Sequence, residues 1–250
     1  MASLMRTANP TLNDSTFEDL IEEHVTDGTM TLEGTVHKCF GLIVLTILSA
    51  AYSWNVYTTD PAAGWIWMAA GIGGGLIVAL VTIWQKSWSA YTGPLYAILE
   101  GLALGAISSS FDAQYRGIAG QAVSLTFGTL FSLLLAYKTG IIKPSENFKL
   151  GVVAATGSIF LVYVLSFLLS FFGVRPVVNE TTGWLGVAIS GFIVVVAALN
   201  LVLDFDFIEQ GVAQGAPRYM EWYAAFGLLV TLVWLYVEML RLLTRLADRK

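Results

Sequence analysis

Residues 184–205 read WLGVAISGFIVVVAALNLVLDF, and the first charge in that run is Asp204. Twenty uncharged residues come before it. That is the length which, at 1.5 Å rise per residue, crosses the roughly 30 Å of hydrocarbon in a bilayer as an α-helix. A buried helix of a soluble domain needs neither that length nor that uniformity. Hydrocarbon offers no partner for an open backbone, so such a run must be one continuous helix.

Outward from this run, hydropathy punctuated by Gly, Pro and charge gives six more spans. Helix 1 covers about His37–Tyr57, helix 2 about Trp65–Trp84 and helix 3 about Gly93–Phe111. Helix 4 covers about Gly117–Tyr137 and helix 5 about Lys149–Phe172. The quoted run is helix 6, reaching at least Phe205, and helix 7 covers about Trp222–Leu243. Helix 3 is the weakest, shortened by Pro94 and interrupted by Glu100, so six spans plus a re-entrant segment is the alternative count. Tryptophans fall at span ends (Trp54, Trp65, Trp84, Trp88, Trp184, Trp222), where the membrane interface accommodates an amphipathic ring. Composition agrees. The chain is 56% hydrophobic with a mean hydropathy of +0.70, and only 12% charged against about a quarter in soluble domains. The expected fold is therefore all-α, a seven-transmembrane-helix bundle over 37–243, between an acidic flexible tail (1–36) and a basic one (244–250).

Charge is unevenly spread. Residues 1–36 hold seven acids against Arg6, while the last ten hold Arg241, Arg245, Arg249 and Lys250. That split argues against nucleic acid as a partner, which wants a basic face. The tail lacks the apolar run of a secretory signal. Its Ser15-Thr16-Phe17-Glu18 fits a capping box, with a short surface helix expected over Phe17–His24. With the N-terminus cytoplasmic, the inner segments carry Arg6, Lys38, Lys86, Lys138, Lys143, Lys149 and Arg218. The outer loops then carry only Arg116 and Arg175, which favours that orientation. The four C-terminal bases dissent, since seven spans put them outside. One cysteine, Cys39, excludes an intramolecular disulfide framework.

Close helix contact in lipid relies on small residues. Gly71, Gly73, Gly74 and Gly75 mark helix 2, Gly101 and Gly105 mark helix 3, and Gly183, Gly186 and Gly191 mark helix 6. Packing within one bundle is the expectation for these, and a dimer interface the alternative.

Ionisable groups within spans cost about 2.5–3.5 kcal/mol each on insertion scales and call for a reason. Glu100 lies on helix 3 and Asp204 on helix 6, both in the cytoplasmic third. Asn200 stands one turn before Asp204 on the same face. Glu238, three residues before Arg241, reads as a helix-end ion pair, and Asp206 and Glu209 read as interfacial and solvated. Enzyme chemistry is not expected. His24 and His37 are the only histidines, so no buried base faces a serine, and Asp204 and Asp206, two apart on one helix, point away from each other.

The segments Gly93–Ser108, Gln121–Gly128, Tyr137–Lys143, Leu203–Glu209 and Glu221–Arg241 together resemble the Bax inhibitor-1/YccA (TMBIM) family, in its bacterial branch, over nearly everything after residue 30. The resemblance implies helix 7 enclosed by the other six, residence in the plasma membrane, and a pH-sensitive Ca²⁺ leak linked to stress survival. It also implies interaction with other membrane proteins, such as quality-control proteases, and a non-transporting scaffold for them is the alternative function. In leak-type members an aspartate near the end of helix 6 faces one in helix 7, and their shared proton gates the path. Asp204 matches the first. Aligning back from Arg241 puts Thr231 at the second, with Glu238 seven residues beyond. Glu100 is therefore the expected replacement partner, since two carboxylates in a low-dielectric site cannot both ionise cheaply and should share a proton. Asp204, Glu100 and Asn200 form the expected cation or proton site, with Asp206, Thr231, Glu238 and Arg241 secondary. Oxygen ligands suit Ca²⁺ as the permeant ion at Asp204 and Glu100, with no resident cofactor expected.

Overall fold

The computed structural model describes residues 28–173 and 183–248. The expected capping box at Ser15–Glu18, the helix over Phe17–His24, and Arg175, Arg249 and Lys250 lie outside the described residues. Among the described residues seven α-helices run in chain order: α1 (Leu32–Thr59), α2 (Pro61–Trp84), α3 (Ser89–Gln114), α4 (Ile118–Lys138), α5 (Glu146–Phe171), α6 (Gly183–Ala213) and α7 (Met220–Ala247). All seven are long and apolar enough to cross a membrane.

Local chemistry sets their ends. Thr31 caps α1, its hydroxyl oxygen accepting from the Gly34 N–H at 3.0 Å. Asp60 alone joins α1 to α2. It ends the first helix and begins the second, Oδ1 accepting from the N–H groups of Ala62 and Ala63 at 3.0 and 3.2 Å. Pro61 at the first helical position gives up only an N–H that had no partner there. Gly117, at φ +81°, turns the chain between α3 and α4, and Ser145 caps α5.

Helix α3 differs from its expected form. It starts at Ser89 after a short 3₁₀ turn (Lys86–Trp88) and runs through Pro94 to Gln114. Pro94 sits early in the helix, where its missing N–H interrupts only one bond of a long ladder. The weakest span is thus a full-length one, and the six-span alternative falls. Helix α1 likewise begins at Leu32 rather than near His37.

Helix α7 is the axis of the bundle, packed against α1, α3, α4 and α6. Tyr223, Phe226, Leu235 and Leu240 on it are fully or almost fully buried. Helix α2 packs on α1 and α3, while α5 packs chiefly on α6. The glycines of α2 and α3 explain the tightest contacts. A Cβ at Gly71 would stand 2.5 Å from the Leu99 carbonyl oxygen, and Cβ atoms at Gly101 and Gly105 would collide with Thr46, Ser49 and Ala50 of α1. Those glycines serve packing within the bundle. Gly73, Gly183 and Gly191 have nothing near an added Cβ.

Two ties close the end of the bundle where α1 and α7 begin. Thr29 bridges to Pro217, Met30 N–H donates to the Ala216 carbonyl at 2.7 Å, and Arg218 N–H to that of Gly28 at 3.1 Å. Met30, 2% exposed, packs with Phe207, Ile208, Met220 and Tyr223. Residues 28–31 therefore form a strap across the α6–α7 turn.

Candidate functional site

Asp204 lies on the inner face of α6 and is fully buried, at 0% exposure. Its carboxylate is within electrostatic reach of the Cys39 thiol on α1. One turn earlier on α6, the Asn200 amide donates to Thr156 Oγ1 of α5 and to the Val196 carbonyl, both at 2.8 Å. Asn200 therefore spends both its N–H groups away from Asp204 and can offer that site only its carbonyl oxygen.

Above Asp204, towards the strap, lies a charged layer that sequence reasoning missed. Lys38, the neighbour of Cys39, pairs with Glu221, which opens α7 and is 2% exposed. The Thr31 N–H and hydroxyl both donate to Glu221 Oε1, at 2.9 and 2.8 Å. Gly34 makes room, since a Cβ there would collide with the Glu221 carboxylate. Lys38 also lies over the Trp222 ring, 5.5 Å from its centroid. The signal available in sequence was an acid at the start of helix 7 and a base at the start of helix 1, each of which alone reads as interfacial.

Glu100 sits elsewhere. A Cβ on Gly75 of α2 would stand 3.0 Å from its Oε2, so the glycine leaves the space that the carboxylate occupies, next to the Tyr96 ring. Helices α3 and α6 both pack on α1 and α7 but are not a closely packed pair. The structure thus sets Glu100 against Gly75 of α2. Thr231 is buried on α7 at 3% exposure, its hydroxyl turned to the Gly227 carbonyl of its own helix at 3.4 Å.

The secondary candidates are bound into the framework. Glu238 Oε1 accepts from the Arg241 guanidinium at 3.0 Å and from the Tyr163 hydroxyl of α5 at 2.8 Å. Arg241 also donates to the Tyr163 oxygen and lies 5.4 Å from its ring centroid. Asp206 is not the freely solvated group expected. It pairs with Lys149 of α5 at 2.8 Å, and Lys149 is 4% exposed and reaches Glu146 as well, at 3.3 Å. A charge buried to that degree needs such partners. Glu209 is exposed, and it accepts from the Tyr137 hydroxyl.

Helix α6 thus directs Asn200 and Asp206 to α5, while Asp204 is buried between them in sequence. Among the described residues no group of three or more His, Cys, Asp or Glu side chains is placed to hold a metal ion. Resident coordination of Ca²⁺ takes six to eight oxygens. A comparison with protein families matches the chain to the family described as Bax inhibitor 1 like, over residues 9–248. No curated protein and no solved structure gives a significant match.

Proposed function

The chain belongs to the Bax inhibitor 1 like family, and from that premise we propose that it is a pH-sensitive cation leak, with Ca²⁺ as the permeant ion and Asp204 as the group that senses protons. It is a multi-pass membrane protein, and the plasma membrane is its proposed home, with the N-terminus cytoplasmic. The observation that carries the reading is the complete burial of Asp204 deep within a span. Glu238 and Asp206 are held in ion pairs with Arg241 and Lys149. Asp204 acts electrostatically on Cys39 of α1, whose neighbour Lys38 belongs to the Lys38–Glu221 pair. Its charge would draw a cation into the bundle, and protonation would remove that attraction. Glu100, packed beside Gly75 of α2, is kept as a second titratable group.

One observation favours a different reading. Helix α7 carries only two acids, Glu221 and Glu238, and both are bound elsewhere. Thr231, where leak-type relatives are expected to hold a carboxylate, bonds its own helix. A scaffold for other membrane proteins, with no transport of its own, needs no pair at that position.

Purified protein in liposomes enclosing a Ca²⁺-sensitive dye, scanned from pH 6 to 8, separates the two. A leak gives steeply pH-dependent entry that Asp204→Asn flattens. Glu100→Gln is expected to preserve the pH dependence, and if it flattens it to the same extent the two carboxylates act as one unit after all. Entry no faster than in protein-free liposomes across the range rejects the leak and leaves the scaffold.

A further inference from the structure

A cavity of about 470 Å³ opens between α1 and α4. These two helices are not a closely packed pair. The walls are α1 from Ile43 to Trp54 and α4 from Val123 to Phe127, and the floor includes Gly105 of α3 and Leu232 of α7. The size falls in the roughly 300–1,000 Å³ range of small-ligand sites.

Four hydroxyls line it, and every one is already committed. Thr46 donates to the Leu42 carbonyl at 2.9 Å, and Thr126 to that of Ala122 at 2.8 Å. Ser108 donates to the Leu104 carbonyl at 2.5 Å. Tyr236 and Ser108 share a 2.6 Å bond, in which the tyrosine must then be the donor. Only the Trp54 indole, at one end of the lining, has a hydrogen left to offer, so a polar ligand would lose most of its own hydration without replacement. A hydrocarbon chain loses nothing on entry, and an empty cavity would forfeit the dispersion contacts of its lining.

The rim is continuous with the lipid-facing surface. Ile47 is 52% exposed and Val123 42%, and the mouth lies within the spans rather than beyond their ends. We propose that this cavity is an acyl-chain site, holding one tail of a membrane lipid against the central helix α7. A lipid seated there touches α1, α3, α4 and α7 together, so it stands apart from lipid that merely coats the outer helices. The site is independent of whether the protein leaks cations.

The probe is a phosphatidylcholine carrying a diazirine midway along one acyl chain, mixed into phosphatidylcholine vesicles holding the full-length protein. After photolysis, labelled peptides are expected to concentrate on Ile43–Trp54 and Val123–Phe127, severalfold above those of α2 and α5. Val123→Trp, at the rim, and Ala51→Phe, on the opposite wall, should each cut that labelling at least threefold while labelling elsewhere holds. Thermal unfolding identifies any variant that has lost its fold, and the wild-type labelling map decides without either variant. Equal labelling of all lipid-facing helices means a surface coat only and overturns the proposal. So does disulfide formation between copies of Ala51→Cys in a Cys39→Ser background, which would put a second copy in the groove.

Discussion

Glu221 and Glu238 show how a carboxylate buried at 2% and 1% exposure can be structural. Each has a cation and at least one hydroxyl donor, so each satisfies its lone pairs within the protein. Breaking a buried pair leaves its partner uncompensated, at a cost of roughly 3–5 kcal/mol. Lys38 keeps 19% side-chain exposure, so Glu221→Gln should lie near the lower end, about 3 kcal/mol. Arg241, at 44% exposure, can reach solvent when its partner is lost, and Glu238→Gln should cost only about 1 kcal/mol. Thermal unfolding in detergent checks the order of the two, and a larger loss for Glu238→Gln would reverse this assignment of which pair holds the bundle. The Glu238–Arg241 pair was legible in sequence because its partners are three residues apart on one helix. The Glu221–Lys38 pair was not, because its residues are 183 apart in sequence and each falls where a span meets the interface. Glu100 was legible as lying within a span, but it is only half-buried, and its direction depends on Gly75 leaving space on α2.

Among the elements, the α1–α3 contact depends most on the absence of side chains. Gly105→Ala places a Cβ against the Ala50 backbone, where nothing flexible can yield. Separation of the two helices is the expected result, with loss of about 1–3 kcal/mol from overpacking. Gly157 on α5 has nothing within 4 Å of an added Cβ. Gly157→Ala should leave the melting temperature unchanged or slightly raised, because alanine favours the helix. Equal destabilisation by both changes would show that helix propensity rather than close approach governs these positions. Span positions followed from hydropathy, but their ends did not. Caps and first turns such as Thr31–Lys38 are polar, and only their partners on other helices show that they belong inside. Pro94 likewise suggested a break because its place within the helix depends on a start at Ser89, which the polar residues before it concealed.

For the whole molecule, seven spans put the two ends of the described chain on opposite faces. In a Cys39→Ser background, Arg116→Cys is expected to react with an impermeant thiol reagent added outside intact cells. Ser87→Cys and Ser145→Cys should react only after permeabilisation. The reverse pattern would overturn the orientation drawn from loop charge. The C-terminal bases that dissented from it are partly engaged. Arg241 holds Glu238, and Arg245 donates to the Gly186 carbonyl at 2.6 Å, which gives each a reason to lie on that side. The strap and the Lys38–Glu221 pair also set a schedule for synthesis. Thr31 and Glu221 are 190 residues apart, so at about 5–20 residues per second the first helix waits roughly 10–40 s for its partner to be made. Through that interval α1 has α3 to rest on, its close-fitting neighbour. Lys38 gains its counter-ion only when Glu221 is made, so through that interval the growing chain carries an unmatched charge near the start of α1.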